Sequence, residues 1–432
     1  MPKAETLIEK IRNNEYQDRF IDIYVDHEKA SKQNDRYIAA INEFTKLFSD
    51  DIEAVFSAPG RSEIGGNHTD HQHGEVLAAS INDDAIAIVA KTDKNEVNIL
   101  SKGYDMITIS LDELDKKDNE VGTTHSLIRG VIAKTKANGH IIGGFDAYVT
   151  SNVLSGSGLS SSAAFETLIG TILSGLYNDM SISAIEIAII GQYAENVYFG
   201  KPCGLMDQMA ASVGGFVSID FKDIDSPIID HVNVDFDSFG HALCIIDTKG
   251  DPDDISEEYI AIRSEMHEIA EFFSVDSLRQ LCKHDIILNI NLLRERFGDR
   301  AVLRAIHFFE ENKRVDKLVN ALRRNDFQAF LDSINESGNS SYKYLQNVYS
   351  SKDIVHQGLS VGLNIAEYAL GRKGATRVHG AGFAGTIQAF VPFELLKEFK
   401  MELEKVFGNG SCHVLKIRPV GGCEVTLESL ND

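Results

Sequence analysis

The stretch that decides the fold reads Leu154-Ser155-Gly156-Ser157-Gly158-Leu159-Ser160-Ser161-Ser162-Ala163-Ala164. It follows an apolar run at 145–149 and leads into an apolar segment at 162–176, which predicts a strand, a tight loop and a helix. The glycines permit positive φ and the close approach of a ligand. The serines fall where the helix begins, so hydroxyls, free N–H groups and the positive end of the helix dipole point the same way. We therefore predict a phosphate-binding loop; a flexible Gly/Ser turn is the less favoured alternative.

This loop differs from the two familiar nucleotide-binding loops. It has no Gly-Lys-Ser or Gly-Lys-Thr ending, and no acidic residue follows a later strand as in dinucleotide-binding folds. A nucleotide site without the P-loop lysine must take its cation and its acids from elsewhere in the chain.

Length and composition indicate a two-domain globular protein. A chain of 432 residues is too long for one ordinary core. Asp/Pro-rich turns interrupt the pattern near 225–240, so we predict domains at 1–238 and 239–432. No apolar run approaches the roughly 18 residues of a membrane span, and the first residues lack the apolar core of a signal peptide. We expect a cytoplasmic protein, in keeping with five scattered cysteines whose spacing makes no zinc site.

The net charge of −23 limits the partners. Such an acidic surface repels nucleic acid and anionic membranes, so we expect neither as a partner. A polyphosphate ligand would be held by local N–H groups and a metal ion, since no general positive field attracts it. This favours Mg²⁺ as a cofactor.

Periodicity predicts an alternation of helices and strands along the chain. We predict helices within 1–50, at 124–136, 162–176 and 184–198, over most of 255–370, and at 393–407. We predict strands at 53–57, 85–90, 97–100, 145–150, 216–221, 242–247, 376–378, 386–391, 412–417 and 423–427.

A second polar stretch, Ser57 to Gly74, places Arg61, Asn67 and Asp70 in a glycine-rich segment that we expect to be a loop after a strand. This density of donors and acceptors fits a polyhydroxylated ligand, because each sugar hydroxyl needs a partner. Two alternatives are a solvated loop and a zinc site of a hydrolase. The candidate zinc ligands are His68, Asp70, His71 and His73.

Further along the chain, Glu195 and Asp207 flank a segment with apolar and glycine residues. Asp207 could accept a proton from a hydroxyl nucleophile, and Glu195 could help hold Mg²⁺. The competing interpretation is a helix cap and an exposed helical glutamate. The glycine-rich segment 379–385 implies close backbone approach or a tight hairpin, and Tyr259 by itself is only an aromatic residue on a helix.

Together these segments resemble the GHMP small-molecule kinases and, within them, the galactokinase branch. The segment Pro59-Gly60-Arg61…Gly66-Asn67-His68-Thr69-Asp70 resembles the signature Gly-Arg-x-Asn-x-Ile-Gly-Glu-His-Thr-Asp-Tyr. The loop 156–163 is similar to the family's Pro-x-Gly-x-Gly-Leu-Ser-Ser-Ser-Ala, and Pro202-Cys203-Gly204-Leu205-Met206-Asp207-Gln208 is similar to Pro-Cys-Gly-Ile-Met-Asp-Gln. Gly380-Ala381-Gly382-Phe383-Ala384-Gly385 resembles the third motif. These four motifs occur in the family's order.

The resemblance implies an α+β fold with an N-terminal mixed-sheet domain, a C-terminal ferredoxin-like domain and an active site in the cleft between them. It implies that ATP phosphorylates the anomeric hydroxyl of a sugar, with Asp207 as base or electrostatic orienter and Arg61 beside it. Ser162 and Glu195 would hold Mg²⁺. The implied ATP-binding residues are Gly156, Ser157, Gly158, Leu159, Ser160, Ser161 and Ser162. The implied sugar-binding residues are Asn67, His68, Asp70, Gly204 and Tyr259.

Some positions depart from the family pattern. Asn67 stands where the signature has glutamate, His71 where it has tyrosine, and His379 replaces a threonine before the third motif. The stretch Asp70-His71-Gln72 is similar to the galacturonate-specific branch, where the glutamate is also missing. Galactose is the favoured substrate, with a uronic acid as the alternative. A sugar and ATP sensor without catalysis is the alternative from another class. We expect a monomer whose partner is a small-molecule sugar.

Overall fold

The computed structural model describes residues 3–154, 158–201, 203–224, 226–250 and 256–426. The helices are α1 (Ala4–Arg12), α2 (Gln17–Tyr24), α3 (His27–Leu47), α4 (Thr124–Ala137), α5 (Ser161–Asn178), α6 (Ala184–Tyr193), α7 (Met206–Val213), α8 (Ser256–Phe272), α9 (Lys283–Leu288), α10 (Ile290–Arg323), α11 (Phe327–Ser340), α12 (Gly358–Leu370) and α13 (Leu396–Phe407). The strands are β1 (Ala54–Gly65), β2 (Glu75–Lys91), β3 (Glu96–Ser101), β4 (Ile107–Ser110), β5 (Phe145–Ser151), β6 (Phe216–Asp220), β7 (Ile228–Val232), β8 (His241–Asp247), β9 (Ala375–Val378), β10 (Thr386–Pro392), β11 (Cys412–Leu415) and β12 (Cys423–Glu424).

The long strand β2 organises the first sheet. It pairs antiparallel with β1, β5 and β6, while β3 runs parallel to β5. Side chains of a strand alternate between the two faces of a sheet. Ala85, Ala87 and Val89 therefore join the core under α4, α5 and α6, whereas Ile86 and Ile88 join the core under α1, α2 and α3. Helices thus cover both faces of this mixed sheet.

The second sheet has the spatial order β11-β8-β10-β9 and is antiparallel throughout. Along the chain, β8 is followed by helices, the β9–β10 pair, α13 and β11, which is the ferredoxin-like connection pattern. Helices α12 and α13 pack on one face of this sheet. The predicted α+β class with a ferredoxin-like second half is confirmed.

The two sheets share one apolar core. Ile64 and Leu77 of the first sheet pack in the same cluster as Leu243 and Ile245 of β8 and Leu318 of α10. In addition, β12 returns to the first sheet and pairs with β1, although it follows the predicted boundary. The division at residues 238 and 239 stays a prediction.

Strand β1 is longer than the sequence predicts. We expected a strand ending at Ser57 and then a loop, but the strand continues to Gly65, and Arg61 lies opposite Ser80 of β2. Register shifts between Pro59 and Arg61 and between Glu63 and Gly65 mark bulges, which redirect side chains locally. The polar residues of this segment made it look like a loop in the sequence. In the structure their side chains are buried, because they form ion pairs and hydrogen bonds with other protein groups.

Three smaller expectations also need correction. The strands β4 and β7 were not predicted, and β2 begins ten residues earlier than the predicted 85–90 strand. The predicted helix 184–198 is α-helical only to Tyr193 and continues as a π-helical turn, Ala194–Phe199. Within the described residues, no helix is both long and apolar enough to cross a membrane.

Candidate active site

Arg61 and Asp207 form a two-pronged ion pair between β1 and the first turn of α7. Arg61 Nε lies 2.7 Å from Asp207 Oδ1, and the second guanidinium nitrogen lies 2.7 Å from Oδ2. The third nitrogen donates to the carbonyl of Gly158, and the Ser160 hydroxyl donates to Asp207 Oδ2. The predicted phosphate loop, the first strand and α7 therefore meet at one carboxylate, which fixes its orientation.

The charge state of Asp207 follows from this geometry. Burial by itself raises the pKa of the carboxyl, but the charge and hydrogen bonds of Arg61 outweigh it, and the net effect is a pKa below the usual range. The Ser160 hydroxyl lowers the pKa further. Asp207 is thus an anion near neutrality that can accept a hydrogen bond but binds a proton weakly.

The described residues of the predicted phosphate loop are fixed by their backbone conformation and by contacts with the rest of the protein. Gly158 has φ of +73°, and a Cβ there would lie 3.0 Å from His379 Nδ1. Ser160 precedes α5 in the left-handed conformation, which is uncommon for a residue other than glycine. Leu159 is fully buried and anchors the loop in the core. The predicted phosphate ligands Gly156 and Ser157 lie outside the described residues.

Ser162 and Glu195 lie together on α5 and on the π-helical turn after α6. Ser162 Oγ donates to Glu195 Oε1 at 3.5 Å, and Lys201 Nζ is 3.3 Å from the same oxygen. The other carboxylate oxygen accepts from Gln208 Nε2 at 2.8 Å. We call Arg61, Ser160, Ser162, Glu195 and Asp207 the reaction cluster.

Sequence reasoning missed Glu166, a second acid behind this cluster. Gln208 Nε2 also donates to Glu166 Oε2, at 3.0 Å, so one amide bridges two carboxyl groups. Burial first, and then the charge of Glu195, raise the pKa of Glu166 well above its usual value. Glu166 lies one helical turn after Ser162, a spacing that could have pointed to it.

The side chain of Asn67 is fully buried and bonded to protein groups. Its Nδ2 donates to Glu63 Oε1 at 3.0 Å and to the carbonyl of Gly380 at 2.8 Å. Its Oδ1 accepts from Ser341 Oγ at 3.2 Å and from Asn347 Nδ2 at 2.9 Å. Both donors and both lone pairs of the amide are therefore occupied.

Glu63 and Arg377 complete this buried region. The Arg377 guanidinium donates to Glu63 Oε1 at 2.5 Å and to the carbonyl of Ile64 at 2.7 Å, and Arg377 is fully buried. Glu63 stands where the family signature has asparagine, and Asn67 where it has glutamate, so the two residue types have exchanged positions. We call Glu63, Asn67, Ser341, Asn347 and Arg377 the clamp network.

The remaining predicted sugar-binding residues lie near one another. Nε2 of His68 is 2.9 Å from the Ala381 carbonyl, and the His68 ring lies 5.6 Å from the ring of Tyr259. A Cβ at Gly204 would meet Asp70 Oδ2 at 2.2 Å, so only glycine leaves room for that carboxylate. Burial, followed by the charge of Glu63, raises the pKa of Asp70 to about 6. Asp70 can therefore change charge close to neutral pH.

The position of His379 explains how a histidine replaces the family's threonine. Its ring nitrogens lie 3.1 Å from the hydroxyls of Ser62 and Thr386, beneath Gly158 of the phosphate loop. Burial lowers the pKa of His379 well below its usual value, so the ring is neutral. These hydrogen bonds fix the ring between β1 and β10, directly beside the loop.

The zinc alternative receives no support from the geometry. Across 3–154, 158–201, 203–224, 226–250 and 256–426, no group of three or more His, Cys, Asp or Glu side chains is placed to hold a metal ion. Nε2 of His68 is engaged by the Ala381 carbonyl.

Comparisons with known proteins show which family the chain resembles. The family model described as the galactokinase galactose-binding signature matches residues 42–91, and the GHMP kinases N terminal domain matches residues 126–215. The galactokinase of Glaesserella parasuis serovar 5 (strain SH0165) is 31% identical over 371 residues, which cover 83% of this chain and 90% of that protein.

Solved structures show the same fold. Lactococcus lactis galactokinase complexed with galactose has a TM-score of 0.75 at 24% identity, and the match covers 90% of this chain and 100% of that one. Methanococcus jannaschii mevalonate kinase has a TM-score of 0.60 at 15% identity, with 84% and 98% covered.

The two-part fold, the loop before α5 and the matching N-terminal domain define a GHMP small-molecule kinase. The similarity to the Glaesserella enzyme extends over most of both chains. The chain belongs to the galactokinase family.

Proposed function

We propose that the chain transfers the γ-phosphoryl group of ATP to the anomeric hydroxyl of galactose, giving galactose 1-phosphate and ADP. The observation that carries this proposal is the Asp207 carboxylate, held by Arg61 and Ser160 where the phosphate loop enters α5. GHMP kinases use ATP as their substrate, and the galactose-binding signature matches residues 42–91. Galactose is therefore favoured over galacturonate.

Asp207 is assigned to orient the sugar hydroxyl. Its pKa lies below the usual range, so it accepts a hydrogen bond from the attacking hydroxyl and favours one direction of attack. Full proton transfer early in the reaction is disfavoured, because a weakly basic carboxylate gains little from the proton. Arg61 steadies the carboxylate and adds positive charge next to the phosphoryl group in transit.

Ser162 and Glu195 fit a magnesium ion. A hydroxyl and a carboxylate are oxygen donors of the kind that Mg²⁺ prefers, and phosphate oxygens complete its coordination in kinases. Gln208 occupies one oxygen of Glu195, and the other faces Ser162 and the exposed Lys201 ammonium, which Mg²⁺ would displace from it. We assign these two residues to hold Mg²⁺ with the phosphates of ATP. When bound, the ion neutralises negative charge on those phosphates.

Asp70, His68 and Tyr259 are assigned to the sugar, together with the backbone at Gly204. Asn67 is assigned to position the neighbouring signature residues, because its amide is buried and fully bonded to protein groups. A sensor without catalysis is disfavoured because the complete reaction cluster is assembled.

The test is ADP release by the purified protein with MgATP and with galactose or galacturonate. We expect turnover with galactose and little with galacturonate. Asp18→Asn, which changes an exposed carboxylate on α2, is the control for Asp207→Asn. Turnover with galacturonate alone would contradict the galactose assignment, and binding of both galactose and ATP without ADP release would favour the sensor.

A further inference from the structure

A cleft of about 590 Å³ lies outside the reaction cluster, between α11, α12 and β9, which is the edge strand of the second sheet. Its volume falls within the range of small-molecule sites. The polar lining comprises Asn335, Asn339, Tyr342, Ser360, Asn364, Glu367, Arg372 and Thr376. Leu363, Leu370 and Ala375 supply apolar surface.

The lining has a definite chemical character. Three carboxamides and three hydroxyls line the cleft, and of these Asn335, Asn339 and Ser360 already donate to other protein groups. One acid, Glu367, and one base, Arg372, leave the lining without net charge. The chain as a whole carries a charge of −23, which disfavours anionic ligands. A neutral ligand with many hydroxyl groups is the best match.

Thr376 gives an independent sign that a partner belongs in the cleft. Its side chain is 5% exposed, and its Oγ1 has no hydrogen-bond partner. A buried hydroxyl without a partner is unfavourable, and a ligand or water in the cleft would supply one. The neighbouring backbone is satisfied, because Thr376 N donates to Asn335 Oδ1 at 3.1 Å.

We propose that this cleft is a second binding site for a neutral monosaccharide. Tyr342 offers a half-exposed ring against which a sugar can pack. Asn364, Asn339 and Thr376 offer hydrogen-bonding groups around it.

The cleft is coupled to the clamp network through neighbours in sequence. Tyr342 follows Ser341, which donates to Asn67, and Thr376 precedes Arg377, which donates to Glu63. Thr376, which lines the cleft, and Arg377, which belongs to the clamp network, are consecutive residues of β9, so this one strand contacts both. Occupancy of the cleft would therefore affect how the sugar end of the active site is held. This coupling rests on the proposed function, whereas binding itself does not.

Methyl NMR tests the binding. The methyl signal of Thr376 reports on the cleft. The methyl signal of Thr69, a fully buried residue that lies between His68 and Asp70 in the sequence, reports on the active site. With threonine methyl groups labelled, glucose and galactose are each titrated to about 50 mM, which covers affinities weaker than 1 mM. We expect a saturable shift of the Thr376 methyl signal. Asn364→Ala should weaken that binding about tenfold, whereas Asn320→Ala, a surface asparagine on α10, should not.

The outcomes separate the cleft from the proposed function. A response to galactose at Thr69 with Thr376 unaffected by either sugar would overturn the cleft proposal and leave the kinase proposal standing. A saturable response at Thr376 without ADP release would support the cleft proposal and overturn the kinase proposal. A shift that grows linearly and does not depend on Asn364 would also overturn the cleft proposal.

Kinetics test the coupling. Glucose should change KM for galactose about fivefold or more in the wild type and in Asn320→Ala. The change should disappear in Asn364→Ala, whereas simple competition at the active site would persist in that variant and would overturn the coupling.

Discussion

The reaction cluster and the clamp network are both built on β1, two residues apart, yet they differ in how their polar groups are used. In the reaction cluster, the Asp207 side chain keeps 28% of its surface exposed, and Ser162 and Glu195 lie 3.5 Å apart. In the clamp network, Asn67 and Arg377 have no exposed surface, and the Asn67 amide is fully bonded to protein groups.

Two residues of the same sequence signature can therefore have different roles. Arg61 and Asn67 belong to one motif, but only Arg61 reaches the predicted site of phosphoryl transfer. We expect changes in the reaction cluster to reduce turnover and changes in the clamp network to reduce stability.

The largest expected effect is on turnover in Asp207→Asn. An amide keeps the shape but loses the charge that Arg61 and Ser160 orient. We expect kcat to fall roughly a thousandfold or more, about 4 kcal/mol of activation free energy. ADP release measures this, with Asp18→Asn as control. Turnover near the wild-type rate would contradict the assignment of Asp207.

Arg377→Met tests the clamp network. The change leaves the buried Glu63 carboxylate without its ion-pair partner, which costs about 3–5 kcal/mol in comparable cases. Urea unfolding measures the loss in free energy. Lys373→Met, which removes an exposed ion pair with Glu394, should cost less than about 1 kcal/mol. Equal losses in both variants would contradict the contrast between the two regions.

Exchanging Glu63 and Asn67 sharpens the comparison. Glu63→Asn alone removes the partner of Arg377, and Asn67→Glu alone places a second carboxylate beside Glu63. The double variant restores one acid and one amide, so we expect a favourable coupling of about 1–3 kcal/mol in unfolding free energy. Simple additivity of the two losses would show that the pair does not act as a unit.

A smaller effect concerns pH. The pKa of Asp70 is raised to about 6, chiefly by burial, so the carboxylate is ionised above that pH and gains a proton below it. If the anion accepts a sugar hydroxyl, kcat/KM for galactose should fall about tenfold per unit below pH 6. Asp70→Asn should have lower kcat/KM but lack this acidic limb. An unchanged limb in that variant would assign it to another group.

The smallest effect is expected for Glu166→Gln. Burial and the charge of Glu195 raise the pKa of Glu166 well above its usual value, which favours the uncharged acid, and glutamine is a neutral side chain of similar size. We expect kcat within roughly twofold of the wild type. Glu195→Gln, in contrast, should weaken activation by Mg²⁺. A loss in Glu166→Gln as large as in Glu195→Gln would show that both acids must be charged.

The sequence by itself determined the fold class, the phosphate-loop motif and the family. The apolar segment after Ser162 requires only local periodicity, and the four motifs carry their order along the chain. These features depend on near neighbours, so they can be read without the tertiary structure.

Only the tertiary structure decided which polar residues are buried and what they bond. Glu63 and Arg377 are 314 positions apart along the chain and still form an ion pair, and Arg61 and Asp207 meet across 146 positions. The continuation of β1 to Gly65 could not be predicted for the same reason. Its polar side chains form hydrogen bonds and ion pairs with residues that are far away along the chain. Local sequence patterns report periodicity and turn preference, whereas burial of a charge depends on partners that only folding brings together.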